Sequence, residues 1–188
     1  MAIKIFIDQG HNPSGINTGA EGNGLREQDI TYEVGRRLYN LLTQNPNFEA
    51  RLSRPTPQTI LGTSNTTSLR ERVYLANSWP ADYFLSIHTN GSTNPALNGT
   101  EVYVYREDSP AYFLALEIQN AIVNRMGTQD RGVKTNPSLY VLRNTDMPAA
   151  LIELAFISNP TDAQKLESDP QGFATAIYQG LLSFFGLA

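Results

Sequence analysis

Apolar and polar positions alternate along the chain in blocks that read as strands and helices in turn. Ile3–Asp8 is β-branched and aromatic, which predicts a strand, and it breaks into Gln9-Gly-His-Asn-Pro-Ser-Gly15. Residues 12–24 are glycine-rich and predict a loop. From about Glu27, the stripe Ile30, Val34, Leu38 and Leu41 has helical spacing, and Asn45-Pro46 ends it. Phe48–Ser53 reads as a second strand and Arg54–Thr67 as a polar connection. Ser68, with Glu71 three residues on, predicts a capping box opening a helix that carries Leu69, Val73 and Ala76 and stops before Pro80. Asp82–Ile87 is continuous rather than alternating, as expected of a strand covered on both faces.

The pattern continues in the second half. His88-Thr-Asn-Gly91 opens a loop running to Gly99, Thr100–Tyr105 predicts a strand, and Ala111–Met126 a helix with Leu114, Ile118 and Ile122 inward. Residues 127–137 read as a polar loop, Ser138–Leu142 as a short strand and Ala149–Leu154 as an apolar one. Thr161–Leu166 and Phe173–Phe185 close the chain as helices. Strands alternating with helices predict an α/β fold, with a mostly parallel central sheet of about six strands and helices on both faces. In such folds the chemistry collects at the carboxyl ends of the strands.

Composition narrows the function classes. With 188 residues, residues 1–188 form one domain by the usual prior, large enough to bury roughly 70% of the extended surface. A net charge of −4 offers no basic surplus, which argues against a nucleic-acid partner and against an electrostatic hold on anionic lipid. The absence of cysteine excludes disulfides, thiolate metal sites and a cysteine nucleophile. No stretch approaches the roughly 18–20 apolar residues of a membrane-spanning helix. Met1–Asp8 reads as a strand rather than a signal peptide, leaving open an internal location, another export route or a removed leader. Monomer is the default expectation.

Only two histidines exist, His11 and His88, and each sits just past an apolar run. With Glu27 at the start of the first helix and Glu153 on the late strand, four chemically capable side chains are expected to converge on one sheet edge. Two imidazoles and a carboxylate are the ligand set of a catalytic zinc with an open fourth position, and a further carboxylate suits a general base. The competing reading is that each histidine is a surface or hydrogen-bonding residue, and no short metal-binding motif joins these positions. Glu153 lies in Ala149-Ala-Leu-Ile-Glu-Leu-Ala-Phe-Ile157, where an ionised carboxylate is costly unless paired. It is therefore bonded, raised in pKa, or turned to solvent on an edge strand. Asn90 either bonds substrate or caps a turn. Arg70 and Arg72 default to a solvated helix face, though one could buttress the site, and Asp130-Arg-Gly-Val-Lys134 defaults to a solvated loop.

Taken in order, Ile5–Gly10 with His11, Gly24-Leu-Arg-Glu27, Ser68-Leu-Arg-Glu-Arg-Val73 with Ala76-Asn77, and Ser86-Ile-His-Thr-Asn90 resemble the zinc-dependent N-acetylmuramoyl-L-alanine amidases of the cell wall. Asp130-Arg-Gly-Val-Lys134, Leu139, Leu142-Arg143, Pro148, and Leu151-Ile-Glu-Leu154 with Phe156-Ile-Ser-Asn159 extend the resemblance from about residue 3 to 185. It implies zinc ligands at His11, Glu27 and His88 and a catalytic Glu153; beside these, Asn12, Asn90 and Arg131 are the candidate substrate contacts. The reaction it implies is hydrolysis of the amide between the lactyl group of N-acetylmuramic acid and the L-alanine of the peptidoglycan stem peptide. It also implies an extracytoplasmic, wall-associated setting. Targeting would fall to this domain, to a separate targeting or activating protein, or to a segment outside these residues. Gln9 and Asn12 stand where the family usually has Pro and Gly, and Thr89 where it usually has Ala. The short polar segment Asn90–Gly99 predicts an open site that is active without a release step. Two rival readings are a zinc metallopeptidase cutting within the stem peptide and a non-catalytic peptidoglycan-binding module.

Overall fold

A computed structural model describes residues 2–187. Its core is a six-stranded sheet in the order β4-β1-β5-β8-β6-β7. The strands are β1 (Ile3–Gln9), β4 (Phe48–Leu52), β5 (Tyr83–Asn90), β8 (Ala149–Phe156), β6 (Thr100–Val104) and β7 (Asp130–Thr135). β4, β1, β5 and β8 run parallel; β6 pairs antiparallel with β8 and parallel with β7. A two-stranded hairpin, β2 (Glu21–Gly22) and β3 (Leu25–Arg26), folds within the glycine-rich loop.

Period-2 alternation sorts the side chains of the central strands onto two faces. Ile5, Ile7, Leu85, Ile87 and Ile152 pack with α1 (Glu27–Thr43), α3 (Pro110–Met126) and α6 (Pro170–Phe184). Phe6, Phe84 and Leu151 point the other way, to Val73, Ala76 and Trp79 of the α2 (Asn65–Ser78) segment and to Val141 and Leu142 of α4 (Tyr140–Asn144). Phe6 and Phe84 stack at 5.8 Å. Burying a side chain of this size is worth about 1.5–3 kcal/mol. A last short helix, α5 (Pro160–Ser168), follows β8.

Three elements differ from the sequence reading. α2 begins a turn early, at Asn65, where Ser64 accepts from the Thr67 amide and Thr67 bonds back; Ser68 is buried inside the helix instead of capping it. Residues 138–142 contribute to a short helix rather than a strand, and the sixth strand comes instead from 130–135. That segment is an edge strand, so it needs no hydrophobic face, and its polar sequence hides it from a periodicity argument. The mixed edge also makes the sheet less uniformly parallel than a simple doubly wound pattern.

The strand order has one consequence for chemistry. β1, β5 and β8 are neighbours and parallel, so their carboxyl ends open at one place.

Candidate metal centre

The site is assembled where β1 leaves the sheet. A Cβ on Gly10 would sit 2.5 Å from the His88 ring and 2.6 Å from the Ile87 carbonyl, so only glycine lets the chain pass this close. His11 then takes a left-handed turn, with φ of 67°. Its Nδ1 lies 3.2 Å from the Asn17 carbonyl, and its Nε2 faces Glu27 Oε2 at 3.2 Å.

Glu27, the first residue of α1, sits at the centre of four nitrogens. Oε1 accepts from His88 Nδ1 at 3.0 Å and from the Thr89 amide at 2.9 Å. Oε2 accepts from the Ala20 amide at 2.9 Å, and a Cβ on Gly19 would approach that oxygen to 2.7 Å. Burial pushes the carboxyl up, but the bonds from His11 and His88 outweigh it and hold the pKa well below the ordinary carboxylate range. One ligand atom each from His11, Glu27 and His88 lie within 4.8 Å of one another.

Glu153 stands across from His88 on β5 and from Glu101 on β6. Because β8 lies inside the sheet, the solvent-facing edge reading does not hold. Its Oε2 is shut away from solvent and has no hydrogen-bond partner. Burial, then the charges of Glu27 and Glu101, push its pKa up to about 8. His11, Glu27, His88, Asn90 and Glu153 line one trough of about 540 Å³, a size that suits a small-molecule or peptide ligand.

Sequence reasoning missed Glu101. It accepts from Asn90 Nδ2 at 2.7 Å, the Tyr103 hydroxyl at 2.7 Å, Arg131 Nε at 2.9 Å and the Lys134 ammonium. A second carboxylate directly across from Glu153 would be repulsive alone, and the two cations of β7 offset it. Burial raises the Glu101 pKa, but Lys134, Tyr103, Arg131 and Asn90 bring it down to about 2. A depressed carboxylate stabilises the fold above its unfolded value of 4.5, and that contribution is lost as pH falls toward 2. The urea midpoint of the wild type is therefore expected to fall more steeply between pH 4.5 and 2 than that of Glu101→Gln; parallel curves would contradict this.

Of the three residues expected at the substrate, Asn90 lines the trough. Asn12 is fully buried, where its amide closes a two-way bond with the Leu61 backbone at 3.0 and 3.1 Å. Its position makes it a loop anchor rather than a substrate contact. Arg131 is on the edge strand, held by Glu101 and set 5.1 Å over the Phe156 ring, so its segment is neither a loop nor freely solvated. Arg72 also departs from its default: it is 1% exposed, beneath His11. No helix among the described residues is long and apolar enough to cross a membrane.

Comparison with known proteins gives this geometry a family. Residues 5–183 match the N-acetylmuramoyl-L-alanine amidase family. The chain is 40% identical to the N-acetylmuramoyl-L-alanine amidase CwlM of Bacillus licheniformis, over 99% of this chain and 70% of that protein. It is 38% identical to the amidase LytC of Bacillus subtilis strain 168 over 96% of its own length, and spans 35% of LytC. A crystal structure of an N-acetylmuramoyl-L-alanine amidase from Clostridium difficile 630 superposes with a TM-score of 0.87 at 31% identity, covering 98% of this chain and 97% of that one. With the family matched over nearly the whole chain and the sheet shared with a solved member, this protein belongs to the N-acetylmuramoyl-L-alanine amidases and is a cell-wall hydrolase.

Proposed function

We propose that this amidase is zinc-dependent and cuts the amide between the lactyl group of N-acetylmuramic acid and the L-alanine of the stem peptide. The observation that carries this reading is the convergence of His11, Glu27 and His88 within 4.8 Å, in the trough that also holds the unpartnered Glu153 carboxylate. Two imidazoles and one carboxylate suit zinc in type and number, and they leave a position open. When bound, the ion supplies Lewis acidity, polarising a carbonyl and making water more acidic.

The protein's own groups carry the proton. The Glu153 carboxylate, which lines the trough, takes one from the water that attacks the lactyl carbonyl. As the C–N bond breaks, Glu153 delivers a proton to the departing alanine nitrogen, leaving a lactyl carboxylate and a free amine. A carboxylate oxygen with no hydrogen-bond partner, in the trough that holds the triad, is free to take and return a proton, as this two-way role requires. Asn90, beside it in the trough, is the residue we assign to substrate; Arg131 acts by holding Glu101. The setting is the cell wall outside the cytoplasm. The segment from Gly91 to Gly99 carries no helix across the trough, so the site is expected to be open and active on peptidoglycan without a release step.

The test is mass spectrometry of purified peptidoglycan digested by zinc-loaded and chelator-treated protein. Stem peptides with a free L-alanine amine, together with glycan bearing free lactyl carboxylates, are expected only from the zinc-loaded sample. Cuts elsewhere in the stem would make the protein a metallopeptidase. Binding without any cut would favour a wall-binding module or a need for a partner, and chelator-resistant cutting would remove zinc.

A further inference from the structure

Two arginines lie beneath the site, both 1% exposed, and one of them, Arg72, is bonded to a buried carboxylate, Asp8. Arg72 Nη1 donates to Asp8 Oδ1 at 2.6 Å and to the Gln9 carbonyl at 2.7 Å; Nη2 donates to the His11 carbonyl at 2.7 Å and to Asn12 Oδ1 at 3.3 Å. One guanidinium thus binds residues 8, 9, 11 and 12 in succession. Arg54 Nη1 reaches the same His11 carbonyl at 3.3 Å and the Gln28 carbonyl at 3.0 Å, and its Nη2 the Pro57 carbonyl at 3.4 Å. Gln28 follows Glu27, so Arg54 ties the His11 turn to the start of α1. Ser86 completes Asp8, donating to Oδ2 at 2.8 Å.

We infer that Arg72 and Arg54 are positioning residues that clamp the His11 carbonyl, fix the left-handed turn at His11, and so aim its imidazole at Glu27 and His88. The inference rests, for its metal consequence, on the reading of His11 as a ligand. A non-glycine residue at φ of 67° carries a conformational cost and persists only where its surroundings over-determine it. Here two cations converge on the one carbonyl whose direction sets that turn. With the peptide fixed, the Cα–Cβ bond of His11 is fixed, and the Nδ1 contact to the Asn17 carbonyl sets the ring about it. Two buried guanidiniums are a costly way to build a core when only one of them, Arg72, has a carboxylate at bonding distance. Their neutral acceptors are mainly backbone carbonyls, those of Gln9 and His11 in the turn and those of Gln28 and Pro57. The planar fork matters: a lysine at 72 carries the charge but cannot bridge the four acceptors.

The test compares wild type with Arg72→Lys, Arg72→Gln and Arg54→Lys by two readouts. The first is the long-range 1H–15N spectrum of the His11 ring in metal-free protein. One ring-nitrogen pattern is expected in the wild type, with shifted or averaged signals in the variants. The second is zinc affinity by chelator competition, expected to fall about 10–100-fold in Arg72→Lys, the loss typical when a supporting residue behind a ligand is removed, and less in Arg54→Lys. The lysine variants keep a buried cation, so they guard against Arg72→Gln failing to fold. If the arginines only support the fold, melting temperature drops while His11 signals and zinc affinity stay at wild-type values, and the clamp is overturned. If the His11 signals change but the wild type itself binds no zinc, the clamp stands and the zinc reading falls.

Discussion

Glu153→Gln is expected to lower turnover on peptidoglycan by about 10²–10⁴-fold, the usual worth of a positioned acid–base group, while zinc affinity stays near wild type. The substitution is nearly isosteric. Glu153 Oε2 makes no hydrogen bond, so the amide breaks none there. It loses only the ability to take a proton from water and return it to the leaving amine. The variant should also be no less stable. The wild-type carboxyl is raised from 4.5 to about 8 by burial and by the Glu27 and Glu101 charges. A raised carboxyl is tolerated in the fold while protonated, so metal-free wild type is expected to lose stability as pH rises from about 4.5 through 8. Glu153→Gln has no such slope. Melting curves of the two metal-free proteins across that range check this, and steady-state release of stem peptide checks turnover. A fully active variant would remove Glu153 from the mechanism.

Which residues could be found from sequence follows from how each is used. His11 and His88 stood out because histidine is rare here and both follow strand-like runs, and Glu153 because a lone carboxylate interrupts an apolar strand. Those signals are local, and the parallel order of β1, β5 and β8 turns them into one site. Glu101 gave no local signal, and nothing local set Arg72 apart from Arg70 as the one that buttresses the site. A charged residue on a strand or helix looks the same whether its face is solvated or buried, and only the fold brings Arg131 and Lys134 to Glu101, or Asp8 to Arg72. Ser64 with Thr67 and Ser68 with Glu71 both resemble a capping box, and packing of the helix start decides between them. Residues 138–142 are a short apolar run, for which periodicity does not separate strand from helix. The identity of the bond cut never came from pattern at all; it came from resemblance to a family.

Glu27→Gln is expected to fail in the opposite way, losing zinc binding and fold stability together. The carboxylate faces four nitrogens: the Ala20 and Thr89 amides, His11 Nε2 and His88 Nδ1, two on each oxygen. Glutamine has one acceptor oxygen and one NH₂ group. Whichever way it is turned, the NH₂ faces a backbone N–H, either that of Ala20 in the glycine-rich loop or that of Thr89 at the end of β5. A buried donor left unpaired costs about 1–3 kcal/mol; at about 2–4 °C per kcal/mol for a domain this size, a clear drop in the metal-free melting temperature should follow. The lost charge removes the anionic ligand as well, so zinc affinity should fall by more than the roughly 10–100-fold expected for a supporting residue. Titration of metal-free protein with zinc, alongside its melting curve, separates the two glutamates. Glu153→Gln should bind zinc and melt normally but not turn over; Glu27→Gln should fall short in all three. If Glu27→Gln keeps its zinc and Glu153→Gln loses it, Glu153 is the ligand and Glu27 the base, and the proton path must be drawn from the mouth of α1 instead of from β8.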